Sequence, residues 1–538
     1  MTTRAPLLVL CLLLLASPLA AQMDMAEHGG KPPALGRVRF PSSCSAAAAA
    51  SVERGVALLH SFWYEEAGHA FGDAARADST CALAYWGEAT SLMHPLWAPS
   101  SAQDVEEGAA LSARAREANA PTPRERGYVD AISAFYAGGA QTRFVDRVRA
   151  WSDGLKRLHD AEPADTEATI FFGLSLVAVA QNSPPDTTYA LQRQAGDLLE
   201  PLFQVEPNHP GLAHYLIHAY DSPALADRAV RAADRYASIA PSVPHARHMP
   251  SHIYTRLGMW DASIASNIGA ATAARQYEIA QRMDAVWDQR LHAMDYLAYA
   301  YLQEGRDAAA RRLVAEAARM QKFTPPHASA AEYALAAIPA RYALERGRWR
   351  EAAALTLRPD LVEPGAIAVT HFARAIGAAR AGDTADARNA LAALASVDDA
   401  LAQARVPIWP GTVHAQRLAA SAWLALAEAD TTSALRLASE AADLEEATPK
   451  HPVTPGAILP ARELQGDLLL AVGRPAEALA AYTAALARAP KRARGLAGAI
   501  RAATRAGDQA TARRLRQEYR TLMAHADRER ARLALGPS

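Results

Sequence analysis

Hydrophobic positions along this chain follow helical spacing rather than strand spacing. β-branched residues are sparse and never form the alternating runs that mark a half-buried strand. Half of the residues are hydrophobic, and most of these are Ala and Leu, which favour helices. Proline-containing segments interrupt the pattern and are typical of inter-helix loops, at residues 120–123, 183–185, 324–326 and 453–456. The pattern therefore predicts an all-α fold.

A repeated unit is clearest near the C-terminus, where residues 461–490 read ARELQGDLLLAVGRPAEALAAYTAALARAP. A small residue, Gly466, precedes the turn glycine Gly473, and Tyr482 follows as an aromatic plug. The next turn glycine, Gly507, lies 34 residues after Gly473. This arrangement resembles the tetratricopeptide repeat (TPR), a pair of antiparallel helices with that period.

Earlier turn glycines extend the resemblance along the chain, at Gly258, Gly305, Gly347 and Gly382. The resemblance implies a TPR-like α-solenoid, a helical-repeat superhelix of about ten helix pairs over residues 43–530. Its best-matching unit is at about 459–492. The blocks HSFWYEEA, AYWGEA, HYLIHAYD and HMPSHIYTRLG also resemble those of exported bacterial TPR-containing proteins. Because this scaffold serves many ends, the architecture leaves the function open.

The N-terminus has the pattern of a secretory signal peptide over residues 1–21. Arg4 is followed by an apolar run of about ten residues and then by small residues suited to cleavage. We expect residues 22–42 to form a flexible leader. The apolar run is too short to span a bilayer, so we expect a periplasmic or secreted protein that is not an integral membrane protein.

Charge excludes one class of partner. The chain has 56 Lys and Arg residues against 57 Asp and Glu residues, for a net charge of −1. The Arg-rich run at residues 488–532 is interspersed with acids, which is typical of a solvated helix face. We therefore expect no nucleic-acid partner.

Histidines are concentrated in one segment. Six of the 17 lie within residues 209–252, at the start of a His-rich groove segment of about 205–305. Two sets have spacings that place them on one helix face. The first is His214, His218 and Asp221, and the second is His245, His248 and His252.

Counted back from the turn of each repeat, His or Asp recurs at the same offsets in three consecutive units. In the TPR family these offsets face the concave groove. The resemblance therefore implies a groove lined by His214, His218, Asp221, His245, His248, His252, His292 and Asp295. Neutral imidazole is a common ligand for Zn, Cu and Fe(II), and a carboxylate completes many such sites. The groove is thus a candidate site for a divalent transition metal.

Two other interpretations of the histidines stay open. The groove can bind a ligand without metal, or the imidazoles can tie helices together by hydrogen bonds. His60, His94 and Glu66 are possible additional groove residues, with capping or core packing as the alternative. No HExxH motif is present, so the pattern is not that of the usual metalloprotease.

We expect an exported scaffold whose His/Asp-lined groove binds a protein or peptide segment or a small-molecule ligand, with a bound metal ion. The alternative is a metal-dependent enzyme, a hydrolase or redox protein, with its active site in that groove. The sequence does not decide whether the protein is an enzyme, and catalytic residues are not assigned.

Two cysteines remain after signal cleavage, Cys44 and Cys81. Each precedes the first helix of a unit, and first helices of adjacent repeats start side by side. Because the expected compartment is oxidising, we predict a Cys44–Cys81 disulfide.

Overall fold

The computed structural model describes residues 34–97, 99–404 and 409–527. Within them the chain forms 25 α-helices and one parallel pair of short strands. The predicted all-α fold of paired helices is confirmed. The predicted signal peptide lies outside the described residues, as does the first part of the leader. Where the leader is described, from residue 34, it is anchored: the buried ring of Phe40 stacks on Trp86 at 5.4 Å.

The elements follow one another as α1 (Ala46–His60), α2 (Tyr64–Ala77), α3 (Ala82–Ser91), α4 (Ala102–Glu117), α5 (Pro123–Tyr136), α6 (Phe144–Ala161), α7 (Thr166–Gln181), α8 (Ala190–Val205), α9 (Pro210–Tyr220), α10 (Val230–Ile239), α11 (Pro244–His248), α12 (Pro250–Arg256), α13 (Trp260–Ala280), β1 (Val286–Trp287), α14 (Asp288–Gln303), α15 (Asp307–Ala317), β2 (Phe323–Thr324), α16 (Ser329–Leu344), α17 (Trp349–Ala353), α18 (Pro364–Ala381), α19 (Thr384–Ala404), α20 (Trp409–Ala427), α21 (Thr431–Ala447), α22 (Ala461–Ala471), α23 (Pro475–Arg488), α24 (Ala493–Arg505) and α25 (Gln509–Leu522).

Consecutive helices pack as sequential antiparallel pairs. All six turn glycines named from the sequence have positive φ, a conformation that costs other residues energy: Gly258, Gly305, Gly347, Gly382, Gly473 and Gly507. Close helix contact explains further glycines, because a Cβ at Gly466 or Gly498 would lie within 3 Å of the ring of Tyr482. The repeat is therefore held by small residues that admit one buried aromatic ring.

The C-terminal helices return to contact the middle of the chain. Trp260 donates from its indole to the carbonyl of Lys491 at 2.9 Å. Arg492, fully buried, contacts Glu463, Glu345 and the hydroxyl of Tyr299. The start of α24 therefore packs on α14, which carries part of the histidine cluster.

A loop of residues 448–460 packs against α14 and α16. Arg341, fully buried on α16, donates to the Thr454 hydroxyl and to the carbonyls of Gly456 and Ala457. Asp295 holds the same guanidinium at 2.9 Å. This arrangement fixes the loop beside the histidines. Among the described helices, none is long and apolar enough to cross a membrane.

Cys44 and Cys81 form a disulfide between the start of α1 and the N-terminus of α3. The disulfide closes a loop between residues that are 37 positions apart in sequence. We therefore predict that replacing both cysteines by Ala lowers the free energy of unfolding by about 3–4 kcal/mol. Denaturant unfolding of protein beginning at residue 22 measures the loss. Thiol titration of the same denatured protein should find no reactive thiol, and two titratable thiols would contradict the pairing.

Arg492→Met should strongly destabilise the fold. The substitution removes the buried guanidinium that pairs with the Glu345 and Glu463 carboxylates, and breaking a buried ion pair costs about 3–5 kcal/mol. The control is Arg474→Met, which removes a guanidinium that is 44% exposed and paired within its own helix turn. That substitution should change the free energy of unfolding by no more than about 1 kcal/mol. Equal denaturation midpoints for the two variants would show that the buried contacts do not support the fold.

Candidate metal centre

Four helices carry the six histidines named from the groove positions. α9 holds His214 and His218, and α14 holds His292. The set spaced as HxxHxxxH was expected on one helix, but Pro250 separates α11, with His245 and His248, from α12, with His252. Proline has no amide hydrogen to donate, so it begins a new helix here. The three imidazoles divide between two groups, His245 in one and His248 and His252 in the other.

The structure groups the first three imidazoles into a triad of His214, His218 and His245, here called the first triad. Nε2 of His214 lies 3.1 Å from Nε2 of His218 and 3.1 Å from Nε2 of His245. The Nδ1–H of His214 donates to the carbonyl of His60 at 2.7 Å. Since a carbonyl only accepts, the neutral ring leaves its Nε2 lone pair facing the other two rings.

His248, His252 and His292 form the second triad. The Nδ1–H of His248 donates to Oδ1 of Asn267 at 2.6 Å. That amide oxygen is an acceptor because the amide nitrogen of Asn267 donates to the carbonyl of Ser263. The Nδ1–H of His252 donates to Oδ2 of Asp221 at 2.9 Å. Both rings therefore have their protons on Nδ1 when neutral.

These tautomers leave two lone pairs in contact. Nε2 of His248 and Nε2 of His252 lie 3.0 Å apart. Burial lowers the pKa of both imidazoles, well below 6.5 for His248, which favours the neutral rings. A cation between the two nitrogens removes their repulsion. Metal–nitrogen bonds of about 2.0–2.1 Å in tetrahedral geometry place ligand nitrogens about 3.3 Å apart, close to the observed spacing.

Each anchoring bond has the form expected around a metal ligand. Metal-binding histidines usually donate their second ring N–H to a carboxylate or carbonyl, which fixes the ring. Here the acceptors are the His60 carbonyl, the Asn267 amide and the Asp221 carboxylate. Three of the six imidazoles therefore have the outer hydrogen bond that metal ligands usually make, and each triad could hold a metal ion.

The two aspartates predicted in the groove have other contacts. Asp221 accepts from Arg256 at 2.8 Å and from Lys450 at 3.0 Å, besides His252. Burial raises its pKa, but these two cations outweigh that effect and hold it well below 3.8. Asp295 pairs with the buried Arg341. The structure thus places Asp221 as a support for His252 and Asp295 as a support for the loop of residues 448–460.

His60 belongs to a third group, with Glu167 and His209. His60 and His209 each donate from Nε2 to this carboxylate, at 2.8 and 2.9 Å. Their Nδ1 atoms accept from the Tyr215 hydroxyl and the Leu212 amide. Every ring nitrogen of this group is engaged, so no lone pair is directed at a metal position. The group instead connects α1, α7 and α9.

Glu66 and His94 also lie apart from the two triads. Glu66 accepts from the hydroxyl of Tyr277 at 3.0 Å. The His94 ring packs on Tyr64, with 4.4 Å between ring centroids. Their places in the structure are those of a helix contact and an aromatic packing contact.

Three supporting residues were not identified from the sequence. The ring of Tyr296 packs against His248, His252 and His292 at 4.7, 5.0 and 5.3 Å. Tyr296 lies one helical turn after His292, so the sequence spacing could have placed it on the same helix face as that histidine. Asn267 and Lys450 have no such signal, because they approach from other helices and loops. Burial lowers the pKa of Lys450 to about 8.

A cavity of about 490 Å³ adjoins the cluster. Its wall nearest the histidines contains His218, Asp221, Arg256 and Lys450. Further walls carry aromatic residues, including Tyr333 and Trp409. On another side, the Phe62 ring covers His214 at 4.3 Å. A small molecule therefore reaches the cluster from the His218 side.

Comparison with known proteins gives little further guidance. No protein-family model and no curated protein matches the chain. Solved structures that it resembles include the human IFIT1 dimer with PPP-AAAA, at 11% identity over 90% of this chain and 92% of that chain, with a TM-score of 0.36. The human IFIT1 dimer with m7Gppp-AAAA is 12% identical over 91% of this chain and 92% of that chain, with a TM-score of 0.38. The structure of Naa15/Naa10 bound to HypK-THB is 11% identical over 88% of this chain and 63% of that chain, with a TM-score of 0.23. At such TM-scores these likenesses carry no argument about function.

Burial predicts a specific pH dependence for the metal-free protein. It lowers the pKa of all six imidazoles below their ordinary 6.5. Below pH 6.5 the unfolded chain binds protons that the folded chain excludes, so stability falls as the pH drops. Each proton that the folded chain excludes lowers the free energy of unfolding by about 1.4 kcal/mol for each unit that the pH falls. Melting temperatures from pH 8 to pH 5 measure this, and a flat profile below pH 6.5 would contradict neutral buried rings.

Proposed function

We propose that this protein is a helical-repeat scaffold that binds two transition-metal ions, one in each histidine triad, beside a small-molecule cavity. The observation that supports this most is the 3.0 Å approach of two Nε2 atoms whose Nδ1 protons are both held elsewhere. A hydrogen-bonded network of neutral rings would place a proton between them. The fully engaged group around Glu167 shows what such a network looks like in this same protein.

The ligand set favours zinc or copper over iron. Both triads consist of imidazoles alone. Imidazole suits zinc and copper, whereas non-haem Fe(II) sites commonly combine two histidines with one carboxylate. The two nearby carboxylates, Asp221 and Asp295, already have cationic partners. A site of neutral nitrogen donors is therefore best matched to Zn²⁺ or copper.

A small molecule is the better-supported ligand. The loop of residues 448–460, which Arg341 holds in place, lies beside the histidines where a partner segment was expected. The cavity that remains, about 490 Å³, is in the range for small-molecule sites. The His218 side of the cluster contacts this cavity directly.

Metal-dependent catalysis is the second candidate function. Three protein ligands leave a position open for water or substrate, as in catalytic zinc sites. Such an ion lowers the pKa of bound water to about 7 and polarises a bound oxygen. The open positions beside a cavity support a hydrolase or redox activity. We further propose that the protein acts after export, where the Cys44–Cys81 disulfide is stable.

Metal stoichiometry tests the proposal. Untagged protein loaded with Zn²⁺ or Cu²⁺ and dialysed should retain two ions per chain. His218→Ala and His252→Ala should each retain one, because each removes a ligand from one triad. The control His159→Ala should retain two, since His159 hydrogen-bonds Thr169 away from the cluster. If the wild-type protein retains no metal and the histidine variants only have lower melting temperatures, the imidazoles are structural residues and the proposal is wrong.

Asn267→Ala separates ligand orientation from ligand identity. The change keeps all six imidazoles but removes the acceptor that fixes His248. We expect metal affinity at the second triad to fall by about 10–100-fold, with the first triad unaffected. Competition with a chromophoric chelator measures both sites, and unchanged affinity would remove the proposed role of Asn267.

A further inference from the structure

The two triads are interleaved rather than separate. Across them, ring centroids are 6.2 Å apart for His218 and His252, and 6.2 Å for His245 and His248. Within a triad, the longest separations are 6.4 Å for His218 and His245 and 6.2 Å for His252 and His292. These separations between the triads thus match the longest separations inside them, although other pairs inside a triad are closer, down to 4.3 Å for His248 and His292. Ions held by both would lie near enough to share a ligand.

Two buried metal ions need negative charge. Divalent ions in both triads bring four positive charges among six neutral imidazoles. The nearest carboxylate, Asp221, is shared by Arg256 and Lys450, so these three side chains together are also positive. Asp295 is neutralised by Arg341. Because uncompensated charge is costly in a buried site, an anion from outside the protein must accompany the metals.

We infer that the two triads form one dinuclear centre whose ions are bridged by a small anion entering from the adjoining cavity. This inference rests on the proposed metal binding and adds the coupling of the two sites and the class of their ligand. The bridge occupies the open positions left by three protein ligands on each ion. In two-metal sites, ions about 3.5–4 Å apart stabilise attacking and leaving oxygens together.

The cavity wall explains why an anion is selected. Lys450 and Arg256 lie on it beside His218, where a ligand reaches the centre. Lys450 also donates to the Thr454 carbonyl at 2.9 Å, so the loop of residues 448–460 fixes its position. Phe62 and Trp97 pack against the rings of His214 and His245 elsewhere on the first triad. The positive wall is therefore on the path of entry.

Copper-loaded protein tests the coupling. A short bridge couples two Cu²⁺ spins, so the electron paramagnetic resonance signal should integrate to far fewer spins than the copper present. His292→Ala breaks the second triad and should hold one Cu²⁺ whose spins integrate fully. Two bound ions with full, isolated signals in the wild type would overturn the dinuclear centre and leave metal binding standing. Absence of both bound copper and bound zinc would overturn the proposed function itself.

Azide is the probe for the anion. Its charge-transfer absorption on copper reports binding, and the band should saturate at one azide per two copper ions. Lys450→Met should weaken the apparent affinity for azide by about tenfold or more, because a positive charge is removed from the wall. Lys450→Arg keeps that charge and should stay near the wild type. Equal affinity in all three proteins, each holding two coppers, would overturn selection of an anion by the cavity wall.

Discussion

The hydrogen bonds that hold the Nδ1 protons are the constraint on which the site depends. Each of them ends on an acceptor: the His60 carbonyl, the Asn267 amide or the Asp221 carboxylate. With the protons held there, the neutral rings of His248 and His252 direct their Nε2 lone pairs at each other, and that of His214 directs its lone pair at His218 and His245. Burial keeps the rings neutral, and the packing of α9, α11, α12 and α14 prevents them from turning away. A bound cation would remove the repulsion between these lone pairs.

The scaffold makes that arrangement rigid through buried charges. Arg341 binds Asp295 and the loop that carries Lys450, while Arg492 binds Glu463 and Glu345 at the contact between α14 and α24. Removing such ions from water is expensive, and their mutual attraction repays the cost only in good geometry. We infer that they are kept for specificity. They fix the loop that carries Lys450 beside the histidines.

Contrast between the histidine groups explains why residue type alone is a poor guide to metal sites. His60, Glu167 and His209 are as buried as the two triads, and they include a carboxylate. Their nitrogens are all occupied by the carboxylate, a tyrosine hydroxyl and a backbone amide. Availability of a lone pair, set by the partner of the other nitrogen, distinguishes a ligand from a structural histidine.

The sequence by itself determined the helical class, the turn glycines and the face on which the histidines lie. These features depend on spacing within one helix or one repeat, which is local and periodic. Tertiary structure alone decided how six imidazoles divide into two triads, and that Asp295 faces Arg341. It also brought Asn267 to the cluster from the helix that follows α12, and Lys450 from a distant loop. Such contacts depend on how helices far apart in sequence pack together, which the spacing of residues within one helix does not encode.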